Sequence, residues 1–418
     1  MKDNDIKERI KKTADILNNF DSFLNETVDK IPGGKKISGE ILGKMHEEAK
    51  GLAEVLNNTR PPRFLLVGKT GAGKSSLLNA LLGYYAAEVS AVEVGTKKAE
   101  MVSLCKNDEI VMEIIDTRGI FESTQDGQVA SAKELQEAID HFEPDAAIFV
   151  FRAKDRAHLD TDVKLVKEKI ASGLARVPVI VAVSQADELD PAREKIPCEY
   201  SKEKKSNIDD AVMQVKRVLD RAALKYVDIV PVSAYIEWDF SNEPEKLAFD
   251  GRCNIDRLLD ILENNMEVKA QIGLLLSTRS ELALRKIAVM VVDTLSKIAS
   301  TVALTPIPVA DIFPLLALQT AMVTIVSYLA GRKGDFAGAK DFVLSLGVVG
   351  IGGYTFRFIA QQFTKFIPVP GAASLISAGV AYTGTSAIGT AAIAYYFDKV
   401  ADKERLKAIV KDHMTKKK

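Results

Sequence analysis

The chain has 418 residues, 27% of them charged, with 56 Lys and Arg against 57 Asp and Glu for a formal net charge of −1. That length allows two or three domains with a full apolar core and needs no covalent staples, and the near-zero balance argues against a general nucleic-acid binder, DNA above all. Cys105, Cys198 and Cys253 are widely spaced and fit neither a zinc motif nor a disulfide framework, and the opening MKDNDIKERIKK has no apolar segment of a cleaved signal peptide, so a cytoplasmic protein is expected.

Residues 1–60 read as an N-terminal helical segment. Ile6, Ile10, Leu17, Phe20, Leu24 and Val28 step by threes, fours and sevens, which places them on one helix face. Ile31, Pro32, Gly33 and Gly34 end that helix, and Ile41, Met45, Leu52 and Val55 repeat the pattern in a second one. The second ends before Pro61 and Pro62, because Pro cannot continue a helix. With eleven basic and eleven acidic residues, the segment lacks the cationic face of a free membrane-binding helix.

Residues 61–270 alternate short apolar runs, at 63–67, 111–115, 146–151, 177–183 and 227–232, with helical patterns at 74–82, 129–141, 160–171 and 208–223. The runs are mostly continuous, as expected of parallel strands covered on both faces. The order predicts a three-layer α/β domain with a mostly parallel sheet, and residues 100–105 read as an additional edge strand.

Residues 271–418 show only helical or apolar patterns. The run 272–298 reads as one long helix. Between residues 301 and 397 there are eight charges: Asp311, Arg332, Lys333, Asp335, Lys340, Asp341, Arg357 and Lys365. Uncharged stretches of 20, 15 and 32 residues lie at 312–331, 342–356 and 366–397. Pro368, Pro370 and four glycines break the last one, and its Ala, Ser and Thr favour close helix packing. Two readings follow: an all-α bundle built from the N- and C-terminal helices, or a hairpin that inserts in or docks on a membrane. Beyond Phe397, eight Lys and Arg stand against four acidic residues, which suits a cytosolic flank or an anionic lipid surface.

The strongest motif is Gly68, Lys69, Thr70, Gly71, Ala72, Gly73, Lys74, Ser75, followed by Ser76. It fits G-x-x-x-x-G-K-[ST] between a predicted strand and a predicted helix, the context of a P-loop. Glycines let the backbone wrap a polyphosphate, and the helix N-terminus adds oriented N–H donors. Lys74 would reach the β- and γ-phosphates, and the Ser75 hydroxyl would ligate Mg²⁺.

Three further motifs follow in order. Asp116 to Gly119 fits DxxG, with Asp116 holding Mg²⁺ through water and the Gly119 N–H meeting the γ-phosphate. Ser184, Gln185, Ala186 and Asp187 occupy the place of NKxD, where Asp187 would accept from guanine N1–H and the 2-amino group that adenine lacks. Ser233 and Ala234 match the SA motif, whose backbone meets the guanine oxygen.

With these motifs, residues 61–270 resemble a translation-factor-class GTPase domain of the Era and immunity-related type, and the run from Gly71 to Leu81 is typical of that group. Residues 280–400 resemble the YcjF-like helical domain of unknown function, through the passages 306–311, 318–323 and 367–371. The resemblance implies GTP and GDP as ligands, Mg²⁺, and hydrolysis to GDP and phosphate. It also implies a switch threonine, best placed at Thr96, completing the Mg²⁺ shell and touching the γ-phosphate.

The chain departs from the family pattern at several points. Ser184 and Gln185 replace Asn and Lys, which leaves the base-reading motif uncharged apart from Asp187. Ile120 stands where Ras-like enzymes place a water-orienting Gln, so slow hydrolysis is expected unless a dimer or a partner protein accelerates it. Gly71 stands where potassium-activated relatives carry Asn. Arg118, with Lys97 and Lys98, is a candidate to neutralise transition-state charge across a homodimer. The expectation is a nucleotide switch coupled to a helical effector domain at or near the inner face of a membrane. The alternatives are a ribosome-assembly GTPase associated with RNA, or a slow-turnover nucleotide-bound scaffold.

Overall fold

The computed structural model describes residues 3–30, 37, 39–85, 90–91, 100–106, 109–116, 132–155, 159–170, 174, 176–239, 241, 246–304, 313–332, 336–346 and 372–416. It divides into two compact units, Arg60–Arg279 on one hand and Met1–Thr59 with Ser280–Lys418 on the other.

The first unit is built on strands β1 (Arg63–Val67), β2 (Ser90–Ala91), β3 (Glu100–Lys106), β4 (Glu109–Asp116), β5 (Ala146–Arg152), β6 (Val179–Ser184) and β7 (Asp228–Pro231). They form one sheet in the order β2-β3-β4-β1-β5-β6-β7. The pairs from β4 through β7 are parallel, and β3 runs antiparallel to both β2 and β4. The strand at Glu100–Lys106 is therefore not at the edge, because the two-residue β2 lies outside it.

Strand alternation explains the continuous apolar runs. Leu65 and Val67 join the core on one face of the sheet, with Ala147, Phe149 and Phe151 of β5 and Val179, Val181 and Val183 of β6. Phe64 and Leu66 face the opposite core with Ile148, Val150, Ile180 and Ala182. Helices Leu159–Ile170 and Lys202–Arg221 cover the first face, and Lys74–Leu82, Ile255–Asn265 and Val268–Thr278 the second. β1, β5 and β6 are thus buried on both sides, the three-layer α/β arrangement expected. A two-stranded antiparallel hairpin, β8 (Ser233–Asp239) with β9 (Lys246–Cys253), follows β7 and was not anticipated.

In the other unit, the N-terminal stripe is buried as its spacing predicts, with Ile6, Ile10, Leu17, Phe20, Leu24 and Val28 all in the core. It is carried by two helices, Asp3–Asn18 and Phe20–Asp29, rather than one. At the break, the Asn19 side-chain amide joins its backbone N–H in donating to the Asp15 carbonyl. This is the local competition that makes Asn a poor helix-interior residue. The helix Gly39–Asn57 buries Met45, Ala49, Leu52, Ala53 and Leu56.

The long helix expected over 272–298 is also two helices, Val268–Thr278 and Ser280–Leu304. Arg279 leaves helical geometry at φ −146°, ψ 63°, and its guanidinium reaches back to Asp256 and Asp260. Helix Ser280–Leu304 packs closely on Ala372–Tyr396: a Cβ on Gly389 would come within 2.4 Å of the Val292 side chain. Tyr382 donates to Asp293 between the same helices, and the Arg9 guanidinium donates to the Leu329 carbonyl at 3.3 Å. The N- and C-terminal helices therefore share one all-α unit. Among the described residues, no helix is long and apolar enough to cross a membrane.

Candidate nucleotide-binding site

The P-loop joins β1 to helix Lys74–Leu82, at the carboxyl end of the sheet where the strand order switches side around β1. This is the crevice in which open α/β sheets bind ligands. Gly71 and Gly73 adopt φ of +76° and +86°, left-handed values that favour glycine. At Gly68 a Cβ would lie 2.7 Å from the Val150 carbonyl oxygen, so the loop needs glycine there to pass against β5. Lys74 Nζ donates to the carbonyls of Gly68 at 2.5 Å and Lys69 at 3.1 Å, which lays its ammonium over the loop. Thr70, Gly71, Ser75 and Ser76 are exposed, and Ala72 is buried. Lys69 pairs with the buried Asp162 at 2.7 Å.

The second segment starts where β6 ends. Ser184 is buried, and its hydroxyl donates to the Ala72 carbonyl at 2.6 Å, with the Phe151 carbonyl at 3.2 Å. Gln185 is left-handed at φ +57°. Its Nε2 donates to the Gly71 carbonyl at 3.0 Å, and its Oε1 accepts from Arg152 Nε at 2.6 Å. Both residues thus brace the P-loop in the positions where Asn and Lys are usual.

Asp187 is buried on a short 3₁₀ turn, Ala186–Glu188. Its Oδ2 accepts from Lys195 Nζ at 2.8 Å. Its backbone carbonyl accepts from Lys204 Nζ at 2.8 Å, as do those of Leu189 at 2.8 Å and Pro191 at 3.1 Å. Lys204 is fully buried, and burial, with Lys195 nearby, pulls its pKa below the ordinary lysine value against the opposing charges of Asp187, Glu194 and Asp190. Burial pushes the Tyr200 hydroxyl upward. Burial and then the Asp187 charge do the same to the Cys253 thiol.

The third segment meets the second directly. The Ala186 N–H donates to the Val232 carbonyl at 3.1 Å. Ser233 is buried, and its hydroxyl accepts from the Tyr235 N–H at 3.2 Å. Ser233 and Ala234 open β8, which pairs with Cys253 and Arg252 of β9.

The fold therefore gathers residues 68–76, Ser184, Gln185, Asp187, Ser233 and Ala234 at one end of the parallel strands. Asp116 ends β4, with its backbone in register with Leu66 of β1, so it stops beside the start of the P-loop. Thr96, Lys97, Lys98, Arg118, Gly119 and Ile120 lie outside the described residues. Sequence reasoning missed Lys195, Lys204 and Arg152, whose partners only the fold brings close.

Residues 63–185 match the family described as 50S ribosome-binding GTPase. The tRNA modification GTPase MnmE of Marinobacter nauticus is 32% identical over 119 residues, 28% of this chain and 26% of that protein. GTPase Der of Thermosipho africanus is 35% identical over 94 residues, 22% of this chain and 21% of its own length. The chain thus spans about a fifth to two fifths of the length of the curated relatives it matches. A solved structure of Era with MgGDPNP and a 16S ribosomal RNA segment aligns with 58% of this chain and 68% of its own. That alignment has 18% identity and a TM-score of 0.33, a likeness too loose to bear on function. The loop geometry, the motif order and the family match agree, and residues 63–185 form the core of a P-loop GTPase domain.

Proposed function

We propose that the chain binds guanine nucleotide and hydrolyses GTP to GDP and phosphate, as a switch coupled to its helical unit. The observation that carries this reading is the lacing of the P-loop to the base-reading segment: Ser184 to Ala72 and Gln185 to Gly71. These bonds set a phosphate cradle and a buried carboxylate, Asp187, at one end of the sheet.

In this reading the backbone N–H groups of residues 71–75 receive the phosphate oxygens, and Lys74 exchanges its loop carbonyls for the β- and γ-phosphates. Asp187 accepts from the guanine edge, and Ser233 and Ala234 frame the base. The donor set fits Mg²⁺, a hard cation that takes oxygen ligands. The Ser75 hydroxyl is exposed at the helix start and Asp116 ends the neighbouring strand; with Thr96 these residues would hold the ion. When bound, Mg²⁺ neutralises charge on the phosphate oxygens. Thr96, Gly119, Arg118 and Ile120 enter from the sequence resemblance: the first two at the γ-phosphate, Arg118 as a stimulating charge within a homodimer, and Ile120 as the cause of slow unassisted turnover. Equilibrium titration of GTP, GDP and ATP in Mg²⁺, followed by phosphate release, tests the whole reading.

A second reading, an RNA-associated GTPase, is favoured by the matched family's description as ribosome-binding. Co-purification of RNA with the full chain distinguishes it. The basic tail beyond Phe397 supports peripheral contact of the helical unit with an anionic membrane surface. Flotation with liposomes, with and without a GTP analogue, tests that part.

A further inference from the structure

We infer that Lys195 is a base-positioning residue: its ammonium holds the Asp187 carboxylate oriented for the guanine edge. The inference rests on the guanine-nucleotide reading above.

The usual cation of the base motif is missing, because Gln185 is uncharged and both ends of its amide are engaged, by Gly71 and Arg152. Asp187 is 5% exposed, and a carboxylate so far from water is costly unless paired. Its ion-pair partner is Lys195, at 2.8 Å. Lys195 comes from a different part of the loop, and its Nζ stands 5.2 Å from the centroid of the Tyr235 ring, one residue past the Ser233–Ala234 pair. The ammonium is thus placed between the two base-reading segments.

The backbone of the same loop has a second anchor. Lys204 Nζ takes the carbonyls of Asp187, Leu189 and Pro191; Lys195 Nζ also reaches the Asp187 carbonyl, at 3.4 Å, but its short contact, at 2.8 Å, is to the carboxylate. An ionised carboxylate offers about four lone-pair sites. Guanine N1–H and the 2-amino group use two of them and Lys195 a third, so the lysine stays in place when the base enters. Without it the carboxylate is free to rotate, and that takes away an acceptor placed for guanine which adenine does not need.

The test is titration of the full chain with GTP and with ATP, in the wild type, Lys195→Met and Lys195→Arg, with thermal stability measured alongside. Lys195→Met keeps most of the one-third-exposed stem but leaves Asp187 unpaired, so the thermal measurement and Lys195→Arg separate a loss of folding from a loss of base reading. The expected result is GTP binding weakened about tenfold or more, the scale of a lost charge-assisted hydrogen bond, with ATP binding unchanged and the preference restored in Lys195→Arg. An unchanged GTP-to-ATP ratio, an equal loss for both nucleotides, or tighter GTP binding in Lys195→Met overturns the proposal while leaving the guanine reading intact. A wild type that binds GTP no better than ATP overturns the guanine reading itself, and this inference with it.

Discussion

Ser184 and Ala72, 112 residues apart in sequence, are joined by a 2.6 Å hydrogen bond from the serine hydroxyl to the alanine carbonyl. The bond is buried and links the segment proposed to read the base to the P-loop. Removing it leaves a buried carbonyl without that donor. Ser184→Ala is therefore expected to cost about 1–2 kcal/mol and to weaken GTP and ATP alike, since the phosphate cradle rather than the base contact loosens. Thermal unfolding with titration of both nucleotides checks this, and a loss confined to GTP would argue that Ser184 reads the base.

Asp187→Asn is expected to move base preference from guanine towards xanthine. The amide can donate to the xanthine 2-oxo group, and the carboxylate cannot. A shift of at least about tenfold in the XTP-to-GTP affinity ratio is expected, the size of one exchanged polar contact. An unchanged ranking would make Asp187 a structural residue of its turn.

Lys204→Met is expected to destabilise the GTPase unit strongly, by about 3 kcal/mol, because it strips the donor from buried carbonyls that have folded around it. The side chain is fully buried, so water cannot replace it at low cost. Chemical denaturation reads the effect; a change below half that size would mean that the loop relaxes onto other donors.

The three free cysteines should separate in reactivity. Cys198 is exposed, whereas the pKa of Cys253 is raised by burial and by Asp187. A raised thiol pKa means less thiolate at pH 8, and the thiolate is the nucleophile. Cys198 is expected to label first with a thiol reagent and Cys253 more slowly, because Cys253 is both less exposed and less readily ionised. Mass spectrometry of a time course reads the order directly.

Much of the GTPase unit was legible because local pattern and tertiary demand agree there. The run at 64–67 is apolar throughout because alternate residues serve two cores, and the helix at 74–82 follows from the motif and its left-handed glycines. The break at Arg279 was not legible, because its ion partners lie 19 and 23 residues earlier on another helix. Lys204 looked like one charge among Lys202, Glu203 and Lys205. Its one signal was position: it falls on the buried stripe that continues through Ile208, Ala211 and Val215. Lys195 carried no such mark, since its partner Asp187 sits on the other side of a loop turn. The hairpin of β8 and β9 was missed because its strands are half exposed and leave no continuous apolar run.

Phosphate release from GTP in Mg²⁺ by the full chain, set beside Lys74→Ala and Ser75→Asn, tests hydrolysis at this loop most directly. The expected result is slow release by the wild type, on the order of 10⁻³ s⁻¹ or less without a stimulating partner. In both variants Mg²⁺-GTP binding and turnover should be lost together, because charge and metal ligand are removed from a site that must neutralise a triphosphate. Undiminished nucleotide affinity or phosphate release in both variants would contradict the assignment of the loop at residues 68–75.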